Sequence, residues 1–233
     1  MQNEIQISRA TVQDNILLKN VYSNMSVGLI LTALVSYFTS KSAMVMNLLF
    51  TNPIMLIVLF VAQIGLVITL SAKIRTLEKN TALGLFLAYS VLNGLTLSSI
   101  FVVFTSVVIY KAFFSAAIMF VGASLYSINT KRNISAMGRY LSMGLFGLIG
   151  ASFLNIFFYS SLMDFGISIF GVVLFMGLTI FDTKKIQEMS NEYGNVMTAE
   201  ELSKIGVMGA LTLYLDFINI FLYLLRIFAR SND

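Results

Sequence analysis

Of the 11 acidic residues in this sequence, two aspartates fall inside long apolar runs. Asp182 lies in GLTIFDTKKI, and Asp216 lies in ALTLYLDFINIFLYLLRIF. A carboxylate at membrane depth is costly, so it marks a functional site by default. If the two carboxyls meet, their ionisations are coupled, because close anions repel in a low-dielectric interior and can share one proton. The pair is therefore predicted to respond to pH. For Asp182 the alternative is a structural ion pair with Lys185.

A polar stripe runs along the last apolar segment and includes Asp216. Its members recur at spacings of four, three, four and three, which puts them on one face of a helix: Thr212, Asp216, Asn219, Tyr223 and Arg226. We interpret this stripe as the lining of a solvated ion path or gate. The alternative is a hydrogen-bonded seam that fixes the helix among its neighbours.

The residue types that are absent exclude several kinds of chemistry. The chain has no cysteine and no histidine, so thiol catalysis, disulfides and the commonest metal ligand and general base are excluded. The absence of histidine also excludes two classes of membrane protease. These are the intramembrane serine proteases that use a histidine and the HExxH metalloproteases. Residues 205–229 contain no lysine for a retinal Schiff base. We expect no enzymatic activity, no catalytic residue and no tightly bound cofactor.

Composition and apolar windows predict the elements that position the two aspartates. The chain has 233 residues, 58% hydrophobic and only 11% charged, whereas soluble domains carry about 25% charged residues. Seven windows have about the 20 residues that a helix needs to cross a bilayer. They are Val21–Phe38, Pro53–Ala72, Ala82–Phe104, Ala112–Ile128, Tyr140–Phe158, Phe165–Ile186 and Ile205–Phe228. The sequence predicts an all-α polytopic membrane protein with seven transmembrane helices.

The distribution of basic residues predicts the orientation of these spans. With the N-terminus in the cytoplasm, four of the 15 basic residues lie outside and the rest lie inside, as the positive-inside rule requires. The outside set is Lys41, Lys111, Arg226 and Arg230. Seven spans then place the C-terminus outside. We divide the chain into a cytoplasmic arm or interfacial helix at 1–20, a transmembrane domain at 21–229 and a short tail at 230–233. The net charge of +4 is attributed to topology, and no nucleic-acid partner is expected.

Several segments resemble the Bax inhibitor-1 family of transmembrane proteins, most closely its bacterial branch. The signature lies in LYLDFINIFLYLLRIF with GLTIFDTKKI before it. ILLKNVYSNMSVGLILTAL resembles the family's first span, LNGLTLSSIFVVFT its third, and FVGASLYSINTKRNISAMGRYLSMGLFGLIGASFLNIF its fourth and fifth. The resemblance covers residues 12 to 229. Where many members have aspartate this chain has Asn133, and where some bacterial members have an acidic residue in the second span it has Gln63.

The resemblance implies a fold and an activity. It implies two three-helix layers around a central C-terminal helix, and a pH-sensitive calcium leak gated by an aspartate pair that corresponds to Asp182 and Asp216. It also implies a basic residue that bonds this pair in the closed state, with Arg75 the first match and Lys73 the second. For the bacterial branch it implies the inner membrane.

We therefore predict a pH-sensitive calcium leak channel whose partners are the lipid bilayer, calcium and protons. Asp182 and Asp216, with nearby oxygen atoms, are expected to hold calcium only transiently, because calcium prefers more oxygen ligands than this pair supplies. The alternatives are a regulatory membrane protein without transport, acting on cell death or on membrane proteases through protein partners, and a proton-coupled transporter.

Overall fold

The computed structural model describes residues 2–134, 136–193 and 197–230, and over these ranges the chain is helical without a strand. Nine α-helices follow one another in the described residues. They are α1 (Gln2–Lys41), α2 (Ala43–Phe50), α3 (Pro53–Lys73), α4 (Lys79–Leu97), α5 (Ile100–Val103), α6 (Ser106–Asn129), α7 (Met137–Phe158), α8 (Ser161–Tyr193) and α9 (Ala199–Arg230). Most of the predicted C-terminal tail lies outside the described residues.

Seven segments are long and apolar enough to cross a membrane, and each contains one of the seven predicted windows apart from a residue at one end of the third. These segments are Leu17–Lys41, Pro53–Lys73, Lys79–Val103, Ser106–Asn129, Met137–Phe158, Ser161–Glu192 and Glu200–Arg230. The prediction of an all-α, seven-span membrane protein is confirmed. The segments exceed the windows because the helices continue into polar residues at their ends.

Serines interrupt the third span, which the hydropathy pattern predicted as one continuous helix. The hydroxyl of Ser98 donates to the carbonyl of Leu95 at 2.6 Å, and the hydroxyl of Ser99 donates to the carbonyl of Thr96 at 3.2 Å. Hydroxyls that bond to carbonyls three residues back compete with the α-helical pattern. The helix therefore ends at Leu97 and resumes at Ile100.

Two helix starts follow from the local sequence. Pro53 stands in the first turn of α3, behind Asn52, whose side chain caps the helix. Thr198 and Glu201 form a capping box before α9: the Thr198 amide donates to the Glu201 carboxylate at 2.8 Å, and the Glu201 amide donates to the Thr198 hydroxyl at 3.3 Å. The last helix therefore begins well before the apolar part of its span.

Contacts divide the chain into two compact units. The first comprises Met1–Thr105 and Gln187–Tyr214. Within it α1 packs closely on α4 at Gly94, where an added Cβ would lie 2.8 Å from the carbonyl oxygen of Thr32. Gln63 of α3 donates to the carbonyl of Leu92 at 3.1 Å and to the hydroxyl of Thr96. These bonds hold α3 against α4.

The second unit comprises Ser106–Ile186 and Leu215–Asp233. Gly138 and Gly177 let α7 and α8 approach, because a Cβ at either position would meet the side chain of Phe181 or of Leu141. The spans differ greatly in burial: 67% of the apolar window of α9 is buried, against 6% for α7. The last span is therefore the most enclosed of the seven.

Candidate functional site around two aspartates

Asp216 is a buried carboxyl in the body of the last span. Only 4% of the residue is exposed. The hydroxyl of Thr179, on α8, is a hydrogen-bonding neighbour of the carboxyl. The second carboxyl oxygen, Oδ2, is fully buried and has no hydrogen-bond partner among the described residues. A polar atom that is buried in this way without a partner is costly, so its position requires an explanation.

Asp182 lies near enough to Asp216 for its charge to act on the buried carboxyl. Asp182 follows Thr179 on α8 by three residues, and its charge acts on the Asp216 carboxyl within the second unit. Asp182 itself is only partly buried, and Lys185 is the cation that acts on it. Both interpretations of Asp182 thus have a physical basis, because its charge acts on the Asp216 carboxyl and the charge of Lys185 acts on it.

Thr179 links the protonation state of Asp216 to the backbone of α8. The Thr179 hydroxyl donates its one proton to the carbonyl of Phe175 at 2.8 Å. It can therefore accept a hydrogen bond from a protonated Asp216 without losing that contact. An ionised Asp216 has no proton to donate, and Thr179 can donate to it only by releasing Phe175. A hydrogen bond from Thr179 to ionised Asp216 would therefore replace the bond from Thr179 to Phe175.

The predicted cationic partners lie at the end of α3. Lys73 is its last residue, Arg75 follows in the turn, and both side chains are exposed. Both belong to the first unit, whereas Asp182 and Asp216 belong to the second. The ion pair that the family resemblance implies for Arg75 or Lys73 stays a prediction.

The remaining members of the polar stripe have different environments. Thr212 and Asn219 are half-buried and donate to carbonyls of their own helix, those of Met208 at 3.1 Å and Leu215 at 2.8 Å. Thr212 belongs to the first unit, and the other four members belong to the second. Two members of the stripe are therefore bonded to the backbone of their own helix, on either side of the buried Asp216 carboxyl in sequence.

Tyr223 and Arg226 form a separate cluster, about 10 to 15 Å along α9 from Asp216 at 1.5 Å per residue. Arg226 lies 3.8 Å from the carboxylate of Asp164 and 5.6 Å from the centre of the Tyr223 ring. Tyr223 also stacks on Phe175, 5.9 Å between ring centres. The half-exposed pair of Arg226 and Asp164 holds the end of α9 against the start of α8. Sequence reasoning had left this partner of Arg226 unassigned.

In the described part of the chain, Asp182 and Asp216 are not part of a larger group of acidic residues that could hold a metal ion. No group of three or more histidine, cysteine, aspartate or glutamate side chains occurs in the described part of the chain. The oxygen atoms of the site include those of the two carboxyls and the hydroxyl of Thr179. Calcium takes six to eight oxygen ligands in a resident site, and this set supplies fewer.

The chain matches a known protein family over nearly its whole length. The family model described as "Inhibitor of apoptosis-promoting Bax1" matches residues 14–233. The chain belongs to the Bax inhibitor-1 family. This finding confirms the resemblance that the signatures of the sixth and seventh spans indicated.

Bacterial relatives from this family align with almost the whole chain. "Inner membrane protein YbhL" of Escherichia coli is 47% identical over 212 residues, which cover 91% of this chain and 90% of the relative. An uncharacterized protein of Borreliella burgdorferi is 41% identical, covering 95% of this chain and 97% of that one. An uncharacterized membrane protein of Streptococcus pyogenes is 33% identical over the full length of both.

In this member of the Bax inhibitor-1 family, Tyr214 is a second buried polar centre that sequence reasoning missed. Its hydroxyl accepts from the Asn93 amide at 2.8 Å and lies 2.7 Å from the Thr32 hydroxyl. Because Thr32 donates to the carbonyl of Ser90 at 2.9 Å, Tyr214 must donate to Thr32. The chain of bonds joins α1, α4 and α9 within the first unit. The signal was present, since polar Thr32, Asn93 and Tyr214 interrupt apolar runs, but their pairing is long-range.

Proposed function

We propose that this protein is a pH-sensitive calcium leak channel, gated by protonation of the carboxyls of Asp182 and Asp216. The observation that carries the proposal is the buried Asp216 carboxyl, which lies within the electrostatic reach of Asp182. A second carboxylate near a buried one makes the pair sensitive to a single proton. Family membership supports the proposal because the resemblance to this family predicted both the residues and the activity.

The gate works through a change in bonding between α8 and α9. With one proton on the pair, the repulsion between the carboxyls is absent and Asp216 can donate to Thr179. When both carboxyls are ionised, two anions face each other in a low-dielectric setting, and Thr179 must leave Phe175 to bond Asp216. The two protonation states favour different packings of this turn, so protons shift an equilibrium between closed and conducting forms.

The ion path that we propose follows the polar stripe of α9. A hydroxyl or amide that donates to its own helix keeps oxygen lone pairs for a passing cation, as with Thr212 and Asn219. Few ligands and weak binding favour conduction over storage. Arg75 or Lys73 is the proposed basic partner of the aspartates in the closed state.

We place the protein in the bacterial inner membrane with a cytoplasmic N-terminus and an external C-terminus. The description of the Escherichia coli relative as an inner membrane protein and the distribution of basic residues support this placement. The proposal assigns no enzymatic step.

Purified protein in liposomes that enclose a calcium indicator should pass calcium down its gradient when the pH is equal on both sides. The rate should change as the pH of both compartments is changed together. A proton-coupled transporter would instead need a pH difference across the membrane. A regulatory protein without transport would match protein-free liposomes at every pH, and this result would contradict the proposal.

A further inference from the structure

Three buried oxygen atoms of the second unit have no hydrogen-bond partner among the described residues. They are Oδ2 of Asp216, Oγ1 of Thr183 and Oγ of Ser124. Thr183 is fully buried, and Ser124 is 5% exposed. An unpaired polar group is especially costly inside a membrane, where no bulk water can bond it. Three such atoms in one unit indicate that something polar bonds them.

The hydroxyls of Thr183 and Ser124 do not bond to the backbone of their own helices, as buried hydroxyls on helices commonly do. Buried serine and threonine side chains commonly donate to the carbonyl four residues back. On α8 both Ser168 and Thr179 do so, at 2.8 Å each. Thr183 lies on the same helix, one turn beyond Thr179, yet its hydroxyl makes no such bond. The Thr183 hydroxyl can therefore bond a group other than the backbone of its own helix.

Two helices meet the same turn of α8, the turn from Thr179 to Thr183. The Asp216 carboxyl of α9 is a hydrogen-bonding neighbour of the Thr179 hydroxyl. The Ser127 hydroxyl of α6 donates to the carbonyl of Ile180 at 2.6 Å. Ser124 stands three residues before Ser127, so both serines lie on one side of α6. The three unpaired oxygens thus belong to α8 itself and to the two helices, α6 and α9, that meet this turn.

We propose that Ser124, Thr183 and Oδ2 of Asp216 hold a buried water molecule between α6, α8 and α9. A buried water makes about three hydrogen bonds and is found where polar groups otherwise lack partners. Thr183 and Ser124 are positioning residues in this arrangement, since they act on Asp216 through the water. The inference deepens the proposed function, because the water would be the group that exchanges protons with the gating carboxyl.

The proton step needs no other reactant. A hydronium ion at this position transfers one proton to the carboxylate of ionised Asp216 and is left as the neutral water. The reverse step returns the proton to the water. The charged neighbour on α8 is Asp182, with Lys185 acting on it, whereas α6 presents the neutral Ser124, Ser127 and Phe120. The water is therefore bonded on one side by neutral hydroxyls and on the other by the titrating carboxyl.

Infrared difference spectra between acidic and alkaline samples test the inference. In the wild-type protein an O–H stretching band of a buried water should shift when ¹⁸O-labelled water replaces ordinary water. The band should persist in Thr183→Ser, which keeps a hydroxyl, and be lost in Thr183→Val and Ser124→Ala. Loss of the water should also move the C=O band of protonated Asp216 to higher frequency, because that group loses a hydrogen bond.

Ser168→Ala is the matched control, since it removes a buried hydroxyl of the same helix that is bonded to its own backbone. Its spectrum should match that of the wild type. Ser124→Ala is the milder of the two disruptive changes and serves if Thr183→Val fails to fold. Absence of an isotope-sensitive band in the wild type, or an unchanged band in the disruptive variants, would overturn the inference. Because the spectra require no calcium flux, a protein that keeps the band but passes no calcium would refute only the channel function.

Discussion

Asp216→Asn and Asp182→Asn should each abolish the pH dependence of calcium flux in liposomes. Asparagine has nearly the shape of a protonated aspartate but cannot ionise, so neither variant can develop two facing charges. The flux of Asp216→Asn should equal, at every pH, the flux that the wild type reaches at the acidic end of its titration. This expectation holds whichever protonation state conducts, and it is measured by repeating the symmetric-pH calcium assay from acidic to alkaline pH.

Asp164→Asn is the control for this experiment, because it neutralises another carboxylate of α8, the helix that carries Asp182. Asp164 is half-exposed and pairs with Arg226 at 3.8 Å. An exposed pair of this kind contributes about 0.2–1 kcal/mol, so the fold should be retained. Its calcium flux should keep the wild-type response to pH. If both asparagine variants in the buried pair also kept that response, the gating mechanism would be wrong.

The second large effect is expected at Tyr214, whose removal should destabilise the first unit without involving the aspartate pair. Tyr214→Phe leaves the buried Asn93 amide without its acceptor and Thr32 without a donor, at a cost of about 1–3 kcal/mol. Tyr214→Ala also removes a ring that packs edge-on against Phe86 and Tyr89, at 5.7 and 5.8 Å between centres. Truncation of a large buried ring costs about 3–5 kcal/mol.

Denaturant unfolding in detergent micelles, followed by circular dichroism, measures both changes. Tyr140→Phe is the matched control, since it removes a hydroxyl from a tyrosine of α7 that is 71% exposed. It should change the unfolding free energy by no more than about 0.5 kcal/mol, as is usual for surface positions. Equal stability of Tyr214→Phe and Tyr140→Phe would show that the bonded chain through Tyr214 contributes nothing.

The spans were predictable because one physical quantity, the length of an apolar run, decides whether a helix can cross a bilayer. The start of α9 was predictable from local chemistry, since Thr198 and Glu201 satisfy each other's backbone within one turn. The break at Ser98 and Ser99 was not predicted, because hydropathy averages over a window and does not register hydroxyls that bond nearby carbonyls. The eight-residue α2 was also not predicted, because it is too short to be detected as a membrane span.

The site was predictable only in part, because the sequence shows which residue types are present but not which side chains contact one another. Asp182 and Asp216 stand out in sequence because a charge in an apolar run is rare. Thr183 and Ser124 do not, since single hydroxyls are common in transmembrane helices and become informative only when their partners are known. The polar stripe was read from helical spacing alone, which gives a shared face but cannot tell that Arg226 pairs with Asp164 while Asp216 approaches Thr179.

The central claim is that a proton on the aspartate pair sets the calcium flux, and the infrared absorbance of protonated carboxyl groups tests it most directly. The absorbance and the calcium flux should be measured on the same liposomes across the same pH range. We predict that the two titrate together and that Asp216→Asn removes the titrating absorbance and the pH-dependent part of the flux. A flux that changes over a pH range in which the carboxyl absorbance is constant would contradict the account.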